Sequence, residues 1–429
     1  MATLVLFGVL AVALVLTVPI AIGLILATGT VFMIFHPNTP LFNLLSQAMV
    51  TTIDSFPIMA VPFFMLVGIL MEKTGIALRL IRVGEAIAGT TPGGLGAAAI
   101  IACVFFAAIS GSGPAVVAAI GAIMIPAMAA RNYDKDYSAS LVASAATIGP
   151  VIPPSIPMII YGATVGVSVV KLFTAGFLPG LLMGAGLLVV NFIISKKRGY
   201  LGKPREGGIK WVLAQIWDGK WALFMPFLIL GGIYGGIFTP TESAVVGTFY
   251  ALIVGTFIYK DLTLKKVKDS LIEAALLSSI VMILLGGATT FGRLLTIEKI
   301  PAALASWMLG ITETPILIML MINLALLISG MFIDTISNIV LFAPLLVPII
   351  IAVGYDPAFF GVIMTVNLCI GFLTPPLGMN LFVAQGVAKV PFESIVKQVM
   401  PFLAILIFTL GLMILFPDIV MVLPRLFGY

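Results

Sequence analysis

The sequence predicts an all-α polytopic membrane protein made of two inverted repeats, each with a re-entrant hairpin and a broken transmembrane helix. Three observations predict it. First, 61% of the 429 residues are hydrophobic and only 9% are charged, against roughly 25% charged in an ordinary soluble domain. Second, apolar runs such as Leu4 to Ala27 and Leu181 to Ile194 lack the alternation of a barrel strand, so the spanning elements are helices, which satisfy their own backbone in lipid. Third, glycine and proline landmarks recur at one fixed shift. At about 20 residues per crossing the chain supplies ten or so spanning elements, with no room for a soluble catalytic domain. Two cysteines, Cys103 and Cys369, and the single His36 argue against a zinc site, a disulfide framework or a haem pocket.

The first run, Leu4 to Ala27, has no basic segment before it and no small-residue cleavage site, so it reads as a retained span. Lys196, Lys197, Arg198, Lys203, Arg205 and Lys210 crowd one loop, and Lys260, Lys265, Lys266 and Lys268 another. Spans near Trp221 to Phe238 and Ser243 to Tyr259 separate them. Both loops belong on the cytoplasmic side by the positive-inside rule, and Lys73, Arg79 and Arg82 form a third such patch. Counting spans from these loops puts the N-terminus inside and the C-terminus outside.

A shift of 222 residues, the distance from Tyr133 to Tyr355, aligns Pro126 to Leu181 with Pro348 to Leu403 without a gap. It pairs Tyr133-Asp134 with Tyr355-Asp356, Pro153-Pro154 with Pro375-Pro376, and Pro179 with Pro401. Upstream, at an offset of three residues from that shift, Ile109-Ser110-Gly111 and Ile328-Ser329-Gly330 each sit between two apolar arms short for a full crossing. They read as hairpins with tips at membrane depth. The organisation is then a first repeat with scaffold helices over 1–195, holding hairpin 93–130 and broken helix 136–170. Basic cytoplasmic loops and linking helices follow over 196–269. A second repeat over 270–429 holds hairpin 312–352 and broken helix 357–389. A span near Leu271 to Thr290 makes the second hairpin enter from the opposite side, so the halves are inverted.

The two crossing elements are interrupted by Gly149-Pro150-Val151-Ile152-Pro153-Pro154 and Gly371-Phe372-Leu373-Thr374-Pro375-Pro376. Proline removes an amide donor and excludes the carbonyl four residues earlier, leaving open carbonyls where no water can serve them. Unwound backbone at that depth is tolerated where it lines a cavity or binds an ion. In the first half the oxygens offered to sodium come from Ser110, Gly111, Gly149, Ile152 and Pro154. In the second they come from Gly330, Asp334, Gly371, Thr374 and Pro376. Half-helices restarting after each break point positive N-terminal ends at the space between them, which suits an anion. Ser112, Ser155, Thr335, Ser337, Asn338 and Asn380 are the polar side chains placed to line that space. Asp334 could instead only cap its helix. Asp54 reads as the N-cap of the span after it, Glu242 as a helix cap in a short outer turn, and His36 as an interfacial loop residue. The stretches Lys73 to Thr90 and Arg293 to Gly310 are amphipathic and precede the hairpins, as interfacial arms would.

No phosphate-binding Gly-x-x-x-x-Gly-Lys-Ser/Thr loop is present, so a gradient rather than ATP is the energy source. Ser110-Gly-Ser-Gly-Pro114, Gly149-Pro-Val-Ile-Pro-Pro154, Phe238-Thr-Pro-Thr-Glu-Ser243 and Gly371-Phe-Leu-Thr-Pro-Pro376 together resemble the large membrane subunit of tripartite ATP-independent periplasmic (TRAP) transporters, the DctM family, within the ion-transporter superfamily. In length and detail the chain is similar to the sialic-acid (SiaM-like) members. The resemblance implies an elevator-type secondary transporter of the bacterial inner membrane, not an enzyme, importing a carboxylate with Na+. It implies two partners, a small four-helix membrane subunit and a periplasmic substrate-binding protein. It places one sodium site on Ser110, Gly149, Ile152 and Pro154 and a second on Gly330, Gly371, Thr374 and Pro376. Neither partner is fused to this sequence, so the chain alone should be incompetent. A C4-dicarboxylate or other organic acid as substrate, or an ion channel, are the competing readings. A membrane hydrolase would need a paired acid or a nucleophile with a base, and Asp334 has no second aspartate in its own motif.

Overall fold

The computed structural model describes residues 1–38, 40–200, 202 and 208–429; the predicted loop charges Lys203 and Arg205 lie outside them. Among the described residues there are twenty-one α-helices and no strand. Five helices are long and apolar enough to cross a bilayer, and three bent pairs raise the number to eight. The other apolar helices are shorter, at 10–17 residues, and most belong to hairpins or broken crossings.

The first hairpin has arms Gly94–Ser110 and Gly113–Ala129. Gly111 turns between them with φ of 61°, a left-handed conformation that a glycine adopts without penalty. The second has arms Pro315–Gly330 and Thr335–Ala352. The first crossing element runs as Lys135–Ala145, a 3₁₀ turn Ala146–Ile148, an irregular stretch, and Ile156–Val165. The second runs as Pro357–Gly371, an irregular stretch, and Met379–Ala388. Long helices Val169–Arg198 and Phe392–Leu415 follow. The order of elements therefore recurs at the shift read from sequence, with Asp134 and Asp356 both at the N-caps of the first segments.

Contacts sort the loops between two ends of the molecule. At one end Lys73 pairs with Glu273 at 2.8 Å, Arg79 lies 3.5 Å from Asp261, and the Lys266 ammonium donates to the Lys73 carbonyl at 3.2 Å. There too the base of the first hairpin is fastened: Gly93 donates to the Tyr200 carbonyl at 2.9 Å, and Arg198 pairs with Asp134 at 3.1 Å. At the other end Lys171 pairs with Asp356 at 2.8 Å and the Tyr161 hydroxyl donates to the Pro357 carbonyl at 2.7 Å. That fastens the base of the second hairpin to the start of helix Val169–Arg198. The C-terminal helix Asp418–Leu426 packs on that same helix.

With lipid outside, helix association depends on close approach rather than on hydrophobic transfer. The arm helix Ile76–Ala88 bends 71° from Ala60–Glu72 and packs along the first hairpin. There a Cβ on Gly84 would lie 2.7 Å from the Ala98 carbonyl oxygen. The second arm, Ile300–Ile311, bends 119° from the hairpin helix that follows it. Arg293, read as its start, belongs instead to the long helix Leu264–Ile297.

Two expectations are corrected. The run Leu4 to Ala27 is not one span: helices Ala2–Val15 and Ile20–Phe35 fold back on each other, with Gly23 against Leu10 and Ala13. Thr17 at φ of 56° turns the chain, and Pro19, with no amide to continue a helix, starts the second one. The span count that put the N-terminus inside thereby loses its first step. Asp54 does not cap the next span. It ends helix Leu41–Ile53, and the span starts at Ala60 without a side-chain cap. The Ser55 carbonyl accepts the amides of Ile58 and Met59 instead, so main chain closes that turn.

Candidate functional site

A cavity of about 360 Å³ lies where both hairpin tips and both breaks converge. Ser110, Gly111, Ser112 and Gly113 of the first tip line it, together with Asp334, Thr335 and Ser337 of the second. Pro150, Ile156 and Pro157 come from the first break and Phe372 and Met379 from the second, so the first turns of both restarting half-helices face it. The remaining wall is supplied by helices Ala60–Glu72 and Leu264–Ile297, including Gly68, Glu72 and Glu273. Sequence reasoning missed this wall. Its one legible signal is that Glu72 and Glu273 are acids beside long apolar stretches.

Each tip is pressed against its own break. A Cβ on Gly111 would lie 3.1 Å from the Pro154 carbonyl oxygen, and one on Gly149 would lie 3.3 Å from that of Ser112. In the second half a Cβ on Gly371 would lie 2.7 Å from the Gly330 carbonyl. Main chain meets main chain at these points because the residues there have no side chain to hold them apart.

Among the described residues, the carbonyls of Ser110, Gly111, Gly149, Ile152 and Pro154 receive no backbone amide across these turns, and neither do those of Gly330, Thr374 and Pro376. The Gly371 carbonyl accepts the Thr374 amide at 3.0 Å, which leaves it one lone pair. The Thr374 hydroxyl, nearly buried, donates to the Ile370 carbonyl at 3.0 Å. Both Pro-Pro bonds are cis. Groups of three or more His, Cys, Asp or Glu able to hold a metal are absent among the described residues; the oxygens around the cavity are those of main chain, hydroxyls and the carboxylates of Asp334, Glu72 and Glu273. Such a set suits a hard monovalent cation better than a transition metal.

The polar side chains divide by what they touch. Ser112, Thr335 and Ser337 line the cavity. Asp334 lines it too, and also caps its helix by accepting the Ser337 amide at 3.0 Å. Three others are occupied elsewhere. The Ser155 hydroxyl donates to the Pro150 carbonyl and accepts the Met158 amide, closing the first break. Asn338 donates to the carbonyls of Ile333 and Asp334 at 2.8 and 3.1 Å and accepts the Ser329 hydroxyl at 2.6 Å, closing the second tip. Asn380 reaches into the other half, donating to the Ala143 carbonyl at 3.1 Å.

Residues read as peripheral remain so. Glu242 forms a capping box with Thr239. His36 has a partner that no local pattern announces, Glu298 at 2.7 Å.

The family model for the tripartite ATP-independent periplasmic transporter DctM component matches residues 7–419. The chain belongs to that family. Among relatives, it is 48% identical over 94% of its length to the isethionate TRAP transporter permease protein DctMQ of Oleidesulfovibrio alaskensis, of which it covers 63%. It is 39% identical over 95% of its length to the sialic acid TRAP transporter permease protein SiaT of Haemophilus influenzae, of which it covers 66%. The chain thus spans just under two thirds of those two relatives. It covers 94% of the C4-dicarboxylate TRAP transporter large permease protein DctM of Pseudomonas aeruginosa, at 38% identity. The Alcanivorax borkumensis YdaH transporter, whose crystal structure is described as revealing an unusual topology, superposes with a TM-score of 0.63. That match covers 88% of this chain and 89% of that one at 13% identity, a likeness of fold alone. Each of the three relatives carries the name of a TRAP transporter permease protein.

Proposed function

We propose that this permease imports a small organic acid anion across the bacterial inner membrane, driven by sodium. In this reading it works with a small four-helix membrane subunit and a periplasmic binding protein that delivers the substrate. The observation that carries the reading is the convergence of two hairpin tips and two breaks on one cavity, with every carbonyl read as a sodium ligand except that of Gly371 free of a backbone amide among the described residues. One sodium ion would be held by carbonyls of Ser110, Gly149, Ile152 and Pro154, and a second by Gly330, Gly371, Thr374 and Pro376, with Gly111 and Asp334 adjoining. The anion would sit between them, against Ser112, Thr335 and Ser337 and the positive ends of the half-helices.

Inversion of the repeats is supported by the hairpin bases, one fastened beside Tyr200 and the other beside Lys171, at opposite ends. The basic end is assigned to the cytoplasm. Elevator motion is supported by the composition of the cavity wall: the tips and breaks would slide as one body past Ala60–Glu72 and Leu264–Ile297. Sialic acid, the substrate first expected, stands beside isethionate, C4-dicarboxylates and 2,3-diketo-L-gulonate, which the names of relatives carry. All are small organic acids, and the coarser class is what the cavity supports.

The test is uptake into proteoliposomes holding the permease with both partners, with a panel of sulfonates and carboxylates as substrates. Accumulation of one acid that requires an inward sodium gradient is the expected result. Uptake indifferent to replacing sodium with potassium contradicts it.

A further inference from the structure

Resting on the sodium reading above, we propose that Asn380 is a positioning residue that couples the two carbonyl clusters, so that an ion in one half raises the affinity of the other. Asn380 is fully buried and is the second residue of half-helix Met379–Ala388. Its amide donates to the Phe372 carbonyl at 3.1 Å and so closes the second break. Its side-chain nitrogen donates to the Ala143 carbonyl, in the last turn of the helix that leads to Gly149. Its side-chain oxygen has no donor among the described residues and faces the first tip, where a Cβ on Gly113 would lie 3.0 Å away. That same Cβ would lie 3.3 Å from the Ala146 carbonyl oxygen, which accepts the Gly149 amide at 3.0 Å.

One side chain therefore touches the first tip and the end of the first broken helix, while its own backbone holds the second break. The amide cannot be reversed: its oxygen would then face the Ala143 carbonyl, acceptor against acceptor. An ion that draws the carbonyls of Ser110 and Gly149 together moves the 146–149 turn and the tip beside it, and with them Asn380. Through the Phe372 carbonyl the displacement reaches Gly371 and Thr374. The buried oxygen left without a donor makes the link responsive, because it favours any shift that brings a donor to it. Coupling of this kind is reciprocal between sites.

The experiment measures equilibrium sodium binding to the purified permease, directly and as sodium-dependent protection against thermal unfolding, because uptake that needs two ions is sigmoidal even when the sites are independent; uptake by the reconstituted complex is recorded beside it. The unaltered protein should respond cooperatively, with a Hill coefficient of about 2 for two coupled sites. Asn380→Leu, similar in size but without the hydrogen bond, should lower the coefficient toward about 1 and raise half-saturating sodium several-fold. Gly113→Ala, which pushes the amide away while keeping Asn380, should do the same, and it serves if Asn380→Leu does not fold. Cooperativity that survives either change, or a sodium response that is non-cooperative in the unaltered protein, overturns the coupling. Sodium-independent uptake by the unaltered protein overturns the sodium reading itself, and the coupling with it.

Discussion

Gly371 and Gly330 touch main chain to main chain: a methyl group placed on Gly371 would lie 2.7 Å from both the carbon and the oxygen of the Gly330 carbonyl. Neither atom can move without opening the second tip or the second break. Overpacking at such a point costs about 1–3 kcal/mol. Gly371→Ala should therefore lower the unfolding temperature of the purified permease and reduce uptake more than its loss of folded protein explains. Gly411, with nothing within 4 Å of its would-be Cβ, is the control inside helix Phe392–Leu415, and Gly411→Ala should leave uptake unchanged and hold or raise the unfolding temperature.

Asp334 is asked to cap a helix and to adjoin an ion, and two substitutions separate the tasks. Asp334→Asn keeps a side-chain oxygen for the Ser337 amide, whereas Asp334→Ala removes it at a cost of about 1 kcal/mol. If the charge matters to the ion, the asparagine variant should fold normally and need several-fold more sodium for half-maximal uptake. Sodium activation unchanged in Asp334→Asn assigns the residue to capping alone.

Thr374→Val removes the hydroxyl beside the second cluster while keeping the shape of the side chain. Loss of one neutral polar contact, worth roughly 1 kcal/mol, should raise half-saturating sodium about fivefold at little cost in folded yield. A sodium titration of uptake measures it, and an unshifted curve rejects the Thr374 hydroxyl from the second site, leaving its carbonyl, which valine keeps.

The Lys171–Asp356 pair ties the two halves at one end and should show in acid. Burial opposes ionisation of the Asp356 carboxyl. The hydrogen bond from Lys171, those from the amides of Ala358 and Phe359, and the charge of Lys171 outweigh it and hold the group below the ordinary carboxylate range. A depressed carboxylate adds stability above its unfolded value and loses it as pH falls through the folded one. The difference in unfolding temperature between the natural protein and Asp356→Asn should thus be constant from neutral pH to about 5 and shrink below about 4. With both partners partly exposed the contribution is at most about 1 kcal/mol. A difference that grows on acidification contradicts the sign.

Much of this architecture is legible in the residues because proline and glycine act locally. The double prolines stop helices wherever they stand, and Gly111 and Gly330 mark tips that an apolar alternation would hide. What escapes reading is set by packing. Pro19 and Thr17 split the first run in a background of uniform hydrophobicity, where length alone suggests one crossing. His36 and Glu298 are far apart in the chain, and nothing near either names the other. Ser155, Asn338 and Asn380 have the residue types of ligands, yet the fold spends them on main-chain carbonyls, a choice that depends on where neighbouring turns come to rest.

Equilibrium binding of radioactive sodium to the purified permease, with no gradient and no substrate, tests most directly whether the two interrupted helices hold the driving ion. The account predicts saturable binding that excess potassium does not displace and that Gly371→Ala weakens. Binding that never saturates, or that potassium displaces as readily as sodium does, would contradict it.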